Sequence, residues 1–357
     1  MKPILNKIAI IAGLSLLASC QSFFDEDPVY STTTDTFFNS ETALETYAIG
    51  FLESHLPSAA TLTRGDQYSD ICVTTQTEGF LKTGGYSAQQ ANNWARGNWR
   101  PLYNVNYYLK HMKDAAPYVD DATMKHYEGV GRFWRAWFYW DKVKTFGDVP
   151  WYAKPLGSAD PELKRPRDSR EFVMQRMIED IDFAIRYLPA ERDLYRVTKW
   201  TALALKSRFC LFEGTFRKYH GIDGYEHDWK WYLEQAADAA EEFITNSGYS
   251  LYTATGPATS YRDLFASENA QSVEVILARD YNSALGVFHN ANFYTISASY
   301  GKPGMTRKIV DSYLMADGSR FTDKAGWETM EFKQQCSNRD PRLAQTCLLY
   351  TSPSPRD

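Results

Sequence analysis

The sequence predicts a mainly α protein: a tetratricopeptide-like solenoid of helical hairpins with long irregular loops and a few short strands. Three observations carry this. Apolar residues recur at i, i+3 and i+4 in stretch after stretch. The stretches run for about 15 to 25 residues, which suits helices rather than strands. Short turns rich in Gly, Pro and capping residues separate most of them, as antiparallel hairpins require. The 34-residue tetratricopeptide consensus does not recur cleanly, so the hairpin reading rests on helix length and spacing.

Taken in order, Ser40 is placed to cap a helix over residues 41–55, with Leu44, Tyr47 and Phe51 on one face and Pro57 beyond its end. A second helix is expected over 98–116, carried by Leu102, Val105, Leu109 and Met112. The third, over 121–145, contains GRFWRAWFYWDKVK, which is apolar nearly all round; such a helix belongs between neighbours, and Gly147 and Pro150 close it. Asp168 and Glu171 have capping-box spacing ahead of the stripe Met174, Met177, Ile181 and Leu188. Residues 198–219 carry Ala202, Leu205, Phe209 and Phe212 on one face, with Ala202 and Ala204 small enough for close helix approach. Residues 228–245 follow, with Gly248 as the C-terminal cap. The alternation in SVEVILAR predicts a strand around Val273 to Leu277.

Residues 1–19 combine Lys2 and Lys7 with an apolar run from Ile8 to Ala18, which is the layout of an export signal and too short to span a bilayer. Leu17-Ala18-Ser19-Cys20 resembles a bacterial lipobox, which makes Cys20 the expected lipid-attachment residue and the acidic FFDEDP after it a solvated tether. The eleven residues Cys347 to Asp357 share no period or turn logic with what precedes them. They resemble read-through of a sequencing adapter, leaving residues 20–346 as the folded domain and predicting a natural chain that continues further.

The net charge is −5 and becomes more acidic once the leader lysines are removed, which argues against a nucleic-acid partner. Cys72, Cys210 and Cys336 are widely spaced and odd in number, so no disulfide framework is expected, and Cys210 reads as a buried thiol. No histidine spacing suits a metal, no cofactor motif is present, and no hydrolase signature is recognisable. A glycosidase would need two carboxylates at defined separation, one with a raised pKa, and nothing marks such a pair. Aromatic content reaches 15%, with ten Trp and twenty-four Tyr, which suits both an aromatic helical core and flat binding faces.

Two long stretches resist a helical reading, 57–97 and 281–308, and loops of that length within a domain are often functional. The binding candidates are therefore Arg64, Gln67, Tyr68, Asn92, Asn93 and Trp94 in the first and Asn292, Tyr294 and Tyr300 in the second, as planar faces and amide or guanidinium groups of the kind a binding groove uses. Trp94 is balanced between surface platform and core. In order along the chain, the lipobox, RFWRAWFYWDKVKTFGDVPWY, TKWTALALKSRFCLFEGTFRKYH, EVILARDYN and NRDPRL resemble the SusD/RagB family of nutrient-binding outer-membrane lipoproteins. The resemblance implies a helical scaffold, a glycan ligand and a TonB-dependent outer-membrane transporter as partner. A peptide ligand, or a pure interaction scaffold in the same complex, is the alternative. The shared blocks imply scaffold roles for Arg132, Gly147, Asp148, Arg208, Gly214 and Asp340 rather than ligand contacts.

Overall fold

The structure is a computed structural model that describes residues 37–73, 92–297, 299 and 303–346. Cys20, Tyr300 and the 347–357 tail lie outside the described residues. Helix α1, Glu41–His55, begins at Ser40, whose hydroxyl accepts from the Ala43 amide at 3.3 Å. A short helix α2 covers Ala59–Arg64, and α3, Arg100–His111, is flanked by 3-10 turns at Arg96–Trp99 and Met112–Ala115. Four long helices follow: α4 Asp121–Phe146, α5 Arg170–Tyr187, α6 Lys199–His220 and α7 Trp229–Asn246. Short helices α8 Ser260–Ala266, α9 Ala291–Ile296, α10 Arg307–Ser312, α11 Phe332–Gln335 and α12 Pro341–Thr346 complete the described chain. Two-residue strands β1, Cys72–Val73, and β2, Gly304–Met305, form one antiparallel pair.

Helix α4 is the centre of the core. Phe133, Trp134, Ala136, Phe138, Tyr139, Trp140 and Val143 are all buried, and α1, α3 and α5 pack around them. Burying each such side chain contributes about 1.5–3 kcal/mol, so this helix anchors the fold. Contacts along α4 and α5 run in opposite directions: Arg170 reaches the Val143 carbonyl, Arg135 meets Asp180, and Gly129 lies against Leu188. Helices α6 and α7 are likewise antiparallel, with Lys199 paired to Glu242 and Gly214 against Trp229 and Leu233. These are the stacked hairpins expected from the sequence.

Charged residues register the hairpins. Arg135 makes two bonds to Asp180 at 2.6 and 2.7 Å, and Arg170 holds Glu213 through bonds of 2.7 to 3.0 Å. Arg217 bonds both Glu213 and Glu171, tying α6 to α5. Buried ion pairs add little net stability, but removing one partner leaves an uncompensated charge, so they select this alignment over others. Of the residues read as scaffold, Asp148 accepts from the Arg170 amide at 2.8 Å, Arg132 pairs with Glu128, and the exposed Arg208 lies over the Trp140 ring. Burial pushes the Cys210 thiol well above its ordinary pKa.

Two local expectations are corrected. The N-cap of α5 is Ser169, which accepts from the Phe172 amide, one residue beyond Asp168. Asp168 instead accepts from the Trp151 amide and from Arg165, and Glu171 turns to Arg217. Capping boxes are instead at Thr198 and Thr201, where α6 starts, and at Glu331 and Gln334, where α11 starts. The segment around Val273 is a turn and not a strand: the Glu274 and Val275 amides donate back to the Gln271 carbonyl. Among the described residues no neighbouring strand offers a ladder there, and alternation alone does not hold an extended conformation.

Candidate functional site

The two irregular segments, more than two hundred residues apart, come together. Ser58 caps α2 by accepting from the Thr61 amide at 3.2 Å, and the Ala59 amide donates to the Tyr281 hydroxyl at 2.9 Å. Helix α2 packs on α9. Beside them β1 pairs β2, with Cys72 opposite Met305 and Val73 opposite Gly304. Thr306 extends this seam, its amide donating to the Ile71 carbonyl at 3.0 Å and its hydroxyl to the Asp70 carbonyl at 2.7 Å. Lys308 pairs with Asp70, and its hydrogen bond holds that carboxyl below the usual range.

At the centre of the seam the Arg64 guanidinium lies over the Tyr294 ring, 5.2 Å from its centroid, and Arg64 Nε donates to Gln67 Oε1 at 3.4 Å. Gln67 is buried at 6% exposure, so the amide anchors the arginine from below. A guanidinium stacked on a ring gains cation–π attraction. The same two helices and the segment before α9 carry exposed apolar side chains: Leu62 on α2, Phe293 and Ile296 on α9, and Leu285 and Phe288 just before α9. Such a cluster on a surface marks a recognition area.

The expected candidates separate into two places. Arg64, Gln67, Asn292 and Tyr294 belong to the seam, Asn292 being exposed on α9, and Tyr68 ends the 3-10 turn that follows α2. Asn92 opens the Asn92–Trp94 turn, which is held against α4. The Asn93 amide there donates to Asp141 at 2.8 Å while its oxygen accepts from Asn98 at 2.8 Å and Lys142 at 3.1 Å. Trp94 is half-buried, edge-on to Trp99 and Phe146, with Arg167 4.5 Å from its ring centroid. Sequence reading overlooked Leu62, Tyr281, Phe288 and Phe293. Their one signal was large apolar residues in a stretch that has no apolar period, which is the mark of exposure.

A family model described as starch-binding and associating with the outer membrane, SusD-like, matches residues 22–211, more than half of the chain. A SusD-like protein of Formosa agariphila, P25, is 23% identical over 284 residues, covering 74% of this chain and 49% of that protein. A solved SusD-like protein of Bacteroides fragilis superposes with a TM-score of 0.67 at 22% identity, covering 90% of this chain and 62% of that one. A SusD-like carbohydrate-binding protein from the same species gives a TM-score of 0.64 at 18% identity, covering 87% and 60%. The chain spans about half the length of the curated relatives it matches.

Proposed function

The chain belongs to the SusD-like family, and from that membership we propose that it binds a glycan, without catalysis, across the seam of α2, α9 and the β1/β2 pair. The observation that carries this reading is the meeting of Arg64 and Tyr294 where α2 packs on α9, two helices that also carry exposed Leu62, Phe293 and Ile296. Sugar rings present alternating apolar C–H faces and equatorial hydroxyls. Exposed rings and aliphatic side chains cover the former, while the Arg64 guanidinium, the Asn292 amide and backbone groups suit the latter. The solved SusD-like protein described as carbohydrate-binding has the same fold, which supports the ligand class.

In this reading the domain of residues 20–346 is anchored through lipid on Cys20 at the outer membrane, facing outward, and hands its cargo to a TonB-dependent transporter. The experiment is a calorimetric titration of the protein with a panel of neutral oligosaccharides and, in parallel, of short peptides, with an assay for released reducing sugar. Saturable binding of an oligosaccharide without reducing-sugar release is expected. Binding of peptides alone would replace the ligand class, and release of reducing sugar would overturn the non-catalytic assignment.

A further inference from the structure

Between Glu78 and Asp114 the chain carries no acidic residue, although the protein as a whole has a net charge of −5. Four cations of that stretch gather on and around α3. Arg96 lies in the 3-10 turn that leads into the helix, Arg100 is its first residue, Lys110 stands in its last turn and Lys113 in the turn beyond. All four are exposed, and none forms an ion pair among the described residues. The acids nearby are engaged: Asp114 is held by His111 at 3.3 Å, and Glu162 pairs with Lys154, whose carbonyl meets Asn106 of α3. Helix energetics account for one end only. Lys110 suits the negative C-terminal end of the macrodipole, whereas Arg96 and Arg100 stand where a cation is disfavoured.

Aromatic rings are interleaved with these charges. Arg100, Tyr103, Tyr107, Lys110 and His111 follow the three-and-four spacing of a single helix face. Tyr103 is 43% exposed and its ring stacks towards that of Tyr107, with centroids 6.1 Å apart and planes 25° from parallel. Tyr107 continues the ladder to His111 at 4.5 Å. Tyr47 of α1 backs it, 6.2 Å from Tyr107 and 22° from parallel. Rings fixed in this way by their neighbours lose little further rotamer freedom when a ligand covers them.

We propose that this face of α3 binds an acidic polysaccharide, one bearing carboxylate or sulfate groups, laid along the helix axis. Its anionic groups meet Arg96, Arg100 and Lys110, and its sugar faces cover Tyr103 and Tyr107. From Arg100 to Lys110 the helix rises about 15 Å, which is room for several sugar units. The arginine fork matches a carboxylate or sulfate through paired donors, and the tyrosine rings present flat apolar faces to sugar C–H groups. An acidic peptide or a lipid headgroup surface would use the cations but gain little from the ring ladder, so the interleaving favours a sugar polymer. The face shares no residue with the α2/α9 seam, and the inference is therefore independent of the ligand proposed there.

The test is calorimetric titration of the full chain with polygalacturonate, dextran sulfate, uncharged dextran and poly-glutamate, with sedimentation on phosphatidylglycerol vesicles in parallel. An acidic polysaccharide is expected to bind saturably and to weaken several-fold in high salt. Arg100→Glu combined with Lys110→Glu should weaken it by at least about tenfold at an unchanged thermal midpoint, and should leave any binding of uncharged dextran as it was. Tyr103→Ala should weaken the acidic polysaccharide a few-fold without affecting poly-glutamate, and Tyr294→Ala in the seam should leave it unchanged. Four results would each overturn the proposal: no binding of either acidic polysaccharide, tighter binding of poly-glutamate or vesicles, undiminished binding by the charge-reversed variant, or a loss that follows Tyr294→Ala instead.

Discussion

His55 lies on the inner side of α1 with its ring 5.1 Å from that of Trp134, and its Nε2 is buried with no hydrogen-bond partner among the described residues. Burial pushes its imidazole down to about 4, from an ordinary value of 6.5. Between those values the unfolded chain binds the proton and the folded chain does not, so stability contributed by this site is lost as pH falls from about 6.5 towards 4. Chemical denaturation at pH 7 and pH 5 should show His55→Leu losing on the order of 1–2 kcal/mol less than the parent; an identical loss would mean that His55 is hydrated. Trp94→Ala should lower stability by about 2–3 kcal/mol, because its ring packs against Trp99 and Phe146. Sequence left Trp94 undecided between platform and core for a physical reason: its neighbours Phe146 and Arg167 are distant along the chain, so only tertiary packing decides. Ser40, by contrast, was legible as a cap because its partner Ala43 is local.

Helix pairing rests on places where two backbones come close. A Cβ added at Gly214 would meet Leu233 at 2.7 Å and the Trp229 carbonyl at 3.0 Å, and the carbonyl cannot swing aside as a side chain tip can. Alanine is the better helix former by about 1 kcal/mol, yet Gly214→Ala should still destabilise the protein by about 1–3 kcal/mol. Thermal melts decide this, and a raised midpoint would show that α6 and α7 have room to part. The pairing of α5 and α6 depends on Arg217, whose removal leaves Glu213 buried at 0% exposure with one partner fewer. Arg217→Ala should cost about 3–5 kcal/mol, measured by urea denaturation. All six long helices were legible from apolar period and caps, to within a few residues at their ends. The start of α5 was not, because Ser169 and Asp168 are both good caps and the choice is made by Asp168's bond to Trp151, formed only in the fold. The supposed strand near Val273 failed for the related reason that a strand needs a neighbour.

On the scale of the whole molecule, the helical hairpins act as a frame that carries the chain from α2 round to α9 and closes the two irregular segments on each other. Their irregularity pointed to a site, but their meeting could not be read from sequence, since neither two-residue strand has a pattern of its own. Splitting the candidates between this seam and the α4-side turn at Asn93 likewise needed the fold. The account stands or falls on whether this seam holds the ligand. Tyr294→Ala should weaken oligosaccharide binding by about tenfold or more in calorimetric titration, a loss of about 1.4 kcal/mol, while leaving the thermal midpoint within about one degree of the parent. Undiminished affinity in that variant, with the fold intact, would contradict it.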